Sequence, residues 1–107
     1  MIYPPYCDLV QEVVTAESLG LAKQAALQFF EQLKQTLAQT PQIKIIILGP
    51  APASVVKVST RYRYRLILKV HNTAAFRALM RGVLQQFYQA QGNNALITVD
   101  VNPESIV

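Results

Sequence analysis

A chain of 107 residues, 51% of them hydrophobic and 15% charged, reads as one domain with enough apolar surface for a single core. No apolar run approaches the ~18 residues of a membrane helix. The first residues show no basic stretch before an apolar core, and the lone Cys7 excludes an internal disulfide or a zinc site of paired thiolates. The expected compartment is the cytoplasm. The net charge of +4 hides an asymmetry, because the six acidic residues lie near the two ends while seven basic residues fall between Lys57 and Arg81. Charge gathered in this way marks a binding face for a polyanion.

Residues 1–7 carry Tyr3-Pro4-Pro5-Tyr6, which cannot be helical and reads as a Pro-rich linker or docking arm ahead of one domain over residues 8–107. Asp8 to Ala16 is rich in Val and Thr and reads as a strand, with Gln11 and Glu12 leaving its buried face ambiguous. Ser18 is a candidate N-cap for a long helix whose apolar side is Leu19, Ala22, Ala26, Phe29, Leu33 and Leu37, ended by Pro41. Ile43 to Leu48 reads as a short apolar strand stopped by Gly49-Pro50-Ala51-Pro52, with Ser54 to Val58 as a bent continuation. A second helix starts near Asn72-Thr73 and buries Phe76, Leu79, Met80, Val83, Leu84 and Phe87, while Arg77 and Arg81 share an exposed flank. Gly92-Asn93-Asn94 ends it, and Ala95 to Val101 alternates as a last strand. The order β-α-β-β-α-β predicts an α+β, ferredoxin-like split βαβ fold, an antiparallel sheet with two helices on one face and the first and third strands central.

The most informative segment is Arg61-Tyr62-Arg63-Tyr64-Arg65. As a strand it puts Arg61, Arg63, Arg65, Ile67 and Lys69 on one face and Tyr62, Tyr64, Leu66, Leu68 and Val70 on the other. Three guanidiniums side by side repel each other unless an anion lies over them. Two registers stay open. Either the tyrosines lie under the helices, as the apolar residues that continue their side favour, or a bulge after Ser59 exposes Tyr62 and Tyr64 for base stacking. The strand has no glycine, unlike that of a standard RNA-recognition module.

Catalytic chemistry is not visible. His71 stands alone at a strand-to-helix junction, and the carboxylates are too few and scattered for an acid–base pair. The Gly-Pro-Ala-Pro segment is no phosphate loop, since it lacks the Lys-Ser/Thr ending and its prolines have no N–H to offer. The chain by itself reads as a binder and not an enzyme.

Four segments together resemble one family. Tyr3-Pro4-Pro5-Tyr6, Leu48-Gly49-Pro50-Ala51-Pro52-Ala53, Arg61-Tyr62-Arg63-Tyr64-Arg65-Leu66-Ile67-Leu68-Lys69 and Val99-Asp100-Val101-Asn102-Pro103 are similar, in order and spacing, to the C-terminal domain of primosomal protein N′ (PriA), the replication-restart DNA helicase. The resemblance covers essentially the whole chain. It implies an excised terminal domain of a larger bacterial helicase, with the Tyr-Pro-Pro-Tyr segment as the seam to the second ATPase lobe. ATP, Mg and Zn would belong to other domains of that parent, and this domain would need no cofactor. The implied partners are DNA at replication forks or as single strands, the parent's other domains, single-stranded-DNA-binding protein and primosome proteins, all in the bacterial cytoplasm at the nucleoid.

The expected function is a DNA-binding accessory domain that grips branched or single-stranded DNA mainly through phosphates. Arg61, Arg63, Arg65 and Lys69 are the central candidates, with Lys57 just before them. Arg77 and Arg81 depend on how the second helix faces the ligand. Two alternatives stand beside it: a docking module with little DNA affinity, and an RNA-binding domain on the same fold.

Overall fold

Helical spacing and strand alternation sort the chain into six elements. The structure, a computed structural model, describes residues 8–58, 60–92 and 94–102, and for 54–58 the backbone alone. The Tyr-Pro-Pro-Tyr arm lies outside the described residues. Along the chain run β1 (Asp8–Ala16), α1 (Leu19–Ala38), β2 (Ile46–Val58), β3 (Arg61–Val70), α2 (Ala74–Gln91) and β4 (Ala95–Val101). The sheet is antiparallel in the order β2-β3-β1-β4, so β1 and β3 are central as the split βαβ pattern predicts.

Each helix begins where a hydroxyl can take up a free backbone N–H. Ser18 Oγ accepts from the Leu21 N–H at 3.1 Å, and Thr73 Oγ1 from the Phe76 N–H at 3.1 Å. Both helices pack on one face of the sheet. Phe29 and Leu33 of α1 and Phe76, Met80 and Phe87 of α2 close over Val10 and Val14 of β1 and Leu66, Leu68 and Val70 of β3. The helices meet edge to face at Phe29 and Phe87, with ring centroids 6.0 Å apart.

One strand departs from expectation. β2 starts at Ile46 rather than Ile43 and continues through Gly49-Pro50-Ala51-Pro52 to Val58. Prolines break a central strand, but β2 is an edge strand, and its register against β3 shifts between Leu48 and Ala51 and again between Pro52 and Lys57. Gly49 makes the first shift possible. Its φ is +100°, and a Cβ there would stand 2.8 Å from the Arg65 carbonyl oxygen. The Gly-Pro motif therefore lets an edge strand bend closely past Arg65.

The ambiguity at Gln11 and Glu12 also resolves. Glu12 pairs with Leu66 and Val99 on the helix face, whereas Gln11 pairs with Ile67 and Asp100 on the opposite face. Both are buried, Glu12 completely. β1 is thus enclosed on two sides, and alternation alone had no polar face to point outward.

Candidate nucleic-acid interface

The helix-free face of the sheet follows directly from this register. Leu66, Leu68 and Val70 belong to the core, so Arg61, Arg63, Arg65, Ile67 and Lys69 lie on the opposite side of β3. The same face continues across β1 through Leu9, Gln11, Val13 and Thr15, and across β2 through Ile46, Leu48 and Ala51. Successive residues of one face are about 6.6 Å apart along a strand. The cations form a row down the middle of an antiparallel sheet, with a strand on each side.

Their surroundings differ. Arg61 donates from Nε to Thr15 Oγ1 at 3.1 Å and from Nη2 to the Thr15 carbonyl at 3.0 Å. Those bonds anchor its guanidinium to β1 and leave its other donors for a ligand. Arg63 and Lys69 are half-buried and engaged with neighbouring groups. Arg65 is half-buried, and its Nε is enclosed without a hydrogen-bond partner among the described residues. An enclosed donor left unbonded costs about 1–3 kcal/mol. Asp100 shares this face on β4, but β1 separates it from the cationic row.

The remaining candidates fall elsewhere. The register sets Lys57 opposite Tyr62, beyond the second shift of β2, and its side chain lies outside the described residues. Tyr62 and Tyr64 pair with Ala16 and Val14 and are half-buried against the core. Stacking of bases on the open face would need a flipped register. The β1–β3 pairing instead runs without a shift from Val70 to Tyr62, because Leu66, Leu68 and Val70 hold the tyrosine side toward the helices. Arg77 and Arg81 are exposed on α2, in the helix layer and across the sheet from the row. Arg77 Nη1 donates to the Asn72 carbonyl at 3.0 Å, and both arginines flank a groove of about 280 Å³ with Met80, Leu84, Val99 and Val101. The structure does not join them to the cations of β3.

Sequence reasoning missed one cluster altogether. Asp8 Oδ2 accepts from the Asn72 N–H at 3.0 Å and Oδ1 from Asn102 Nδ2 at 3.0 Å, while Asn102 Oδ1 accepts from the Leu9 N–H at 2.9 Å. This clasp ties the start of β1 to the end of β4 and the approach to α2. Asn102 has φ +50°, a conformation that asparagine tolerates better than most residues. The one available signal was its place in the Val-Asp-Val-Asn-Pro ending. Among the described residues, no three His, Cys, Asp or Glu side chains gather to hold a metal ion, and no helix is long and apolar enough to cross a membrane.

Comparison with known proteins meets this geometry. Residues 1–104 match the family model of the primosomal protein N C-terminal domain. The chain is 35% identical over 105 residues to a probable replication restart protein PriA of Deinococcus radiodurans, covering 98% of this chain and 10% of that one. It is 26% identical over 102 residues to the replication restart protein PriA of Bacillus subtilis, covering 94% and 12%. The chain therefore spans about a tenth of the length of these curated relatives. A de novo designed protein with ferredoxin fold aligns with a TM-score of 0.57 over 92% of this chain and 86% of its own, at 15% identity, a likeness of fold alone. With the β-α-β-β-α-β sheet described and the family model matched almost end to end, the chain belongs to the primosomal protein N C-terminal domain family.

Proposed function

We propose that this domain is a DNA-binding accessory module of a replication-restart protein, gripping branched or single-stranded DNA mainly through its phosphates. The observation that carries the reading is the shared, helix-free face of Arg61, Arg63, Arg65 and Lys69 on the central strand β3. A polyanion relieves the mutual repulsion of such a row, and phosphate contacts position nucleic acid without reading its sequence. The absence of any carboxylate between Gln32 and Val99 in the sequence supports the same reading. In it, the domain needs no cofactor, and ATP, Mg and Zn act elsewhere in the parent helicase. The partners are forked or single-stranded DNA and the parent's other domains, with single-stranded-DNA-binding protein and primosome proteins beyond them.

The test is a fluorescence-anisotropy titration with labelled single-stranded, duplex and forked DNA and matched RNA at several salt concentrations. The Arg61→Ala/Arg63→Ala/Arg65→Ala variant is expected to fold and to bind more weakly. Its log–log salt slope should flatten by about 0.7 for each single-strand phosphate that is no longer neutralised. Because Arg61 is bonded to Thr15, an Arg63→Gln/Arg65→Gln variant serves where the triple change disturbs folding. Unchanged affinity and slope in a folded variant would overturn the assignment, and a preference for RNA would replace DNA as the ligand.

A further inference from the structure

The open face carries more than cations. Ile46 and Leu48 of β2 pair with Lys69 and Ile67 of β3, so both stand on the helix-free side, directly beside the end of the cationic row. They are 59% and 45% exposed, high values for large aliphatic side chains in a paired strand. Lys44, two residues before Ile46, is exposed as well. Ile67 lies in the row itself, between Arg65 and Lys69, and is buried. Aliphatic surface and positive charge thus occupy adjacent strands, about 4.8 Å apart.

Of possible occupants, a bare anion would use only the charge, and an uncharged apolar partner would use only Ile46 and Leu48. Duplex DNA offers a phosphate surface, but its base faces are stacked away inside the helix. A single strand presents both chemistries together, an anionic backbone and apolar base faces beside it. Its backbone over β3 would bring its bases to one side, over β2.

We propose that Ile46 and Leu48 form a base-contacting shoulder beside the cationic row, so that this face prefers unpaired to paired DNA. This rests on the nucleic-acid reading of the row. The shoulder supplies contact with base faces that is tolerant of sequence, the part that aromatic platforms play in other single-strand binders. The cations supply the salt-dependent part. Affinity and salt dependence are therefore separable on this face.

The experiment compares the 107-residue chain with Ile46→Thr/Leu48→Thr and with Ile46→Phe/Leu48→Phe, using a single-stranded oligonucleotide and its duplex across a salt series. Both pairs of changes are on exposed positions of an edge strand, and circular dichroism checks their fold. The threonine variant should bind the single strand roughly tenfold more weakly with an unchanged salt slope, while duplex binding stays as it was. The phenylalanine variant should bind the single strand more tightly, again with no change of slope. Equal single-strand binding by all three proteins would overturn the shoulder while leaving the cationic row intact. Failure of the unaltered chain to bind any DNA would overturn the reading of the row itself, and the shoulder with it.

Discussion

Asp8 and Glu12 are four residues apart on the same side of β1, yet the fold treats them in opposite ways. Asp8 lies at the sheet's margin, where Asn102 Nδ2 and the Asn72 N–H both donate to it. The Asn102 hydrogen bond, then the Asn72 N–H and the nearby His71 hold its carboxyl below the ordinary value of 3.8. Glu12 lies further in along the strand, beneath the helices, and neither of its oxygens has a partner among the described residues. Burial pushes it up to about 8 from 4.5, so it is protonated at neutral pH. The difference teaches that an acid's place along a strand, and not its type, decides whether it helps or weakens the fold.

The two also act on opposite limbs of a stability–pH curve. From 4.5 up to about 8 the folded chain keeps the Glu12 proton that the unfolded chain has released, so stability is full below 4.5 and falls as pH rises through that window. Asp8 contributes above 3.8, and its contribution is lost as pH falls through its lowered folded value. Between them, these groups place greatest stability on the acid side of neutrality.

The largest expected effect comes from removing the inner acid. Glu12→Leu should stabilise the domain by about 3 kcal/mol at pH 7, with a gain that grows between pH 5 and 8. Urea titrations across that range check it, and a gain that does not change with pH would break the contrast between the two acids. Next in size is the clasp. Asn102→Ala removes the bond to the Leu9 N–H, at a cost of about 1 kcal/mol, and should let the Asp8 carboxyl rise toward its ordinary value. An NMR titration of Asp8 reads that shift directly. The smallest effect belongs to Asp8→Asn, which should lower the melting temperature modestly at pH 7, where the ionised carboxylate contributes in full, and flatten its decline below pH 4. A full acid limb in that variant would assign it to other carboxylates.

The legible parts of the fold were those where periodicity had one answer. α1 runs along Ala22, Ala26, Phe29 and Leu33 as its spacing predicts, and Ser18 and Thr73 cap the helices they precede. In β3 the apolar residues after Arg65 were enough to turn the tyrosines toward the helices and the arginines away. β2 was not legible, since a Gly-Pro-Ala-Pro run breaks a central strand but not an edge strand, and only the sheet order shows which it is. Val99 and Val101 alternate inward as expected, yet are 37% and 47% exposed because they lie on the sheet's outer strand.

By itself, the amino-acid order determined the succession of the six elements though not the extent of β2, the alternation of arginine with tyrosine and the concentration of positive charge in one part of the chain, because these depend on neighbours a few residues apart. Tertiary structure alone decided that the arginines share an open face with Ile46 and Leu48, that Arg77 and Arg81 do not join them, and that Asp8 is satisfied while Glu12 is not. Each of those depends on which distant strand or helix lies alongside, and local periodicity carries no information about that.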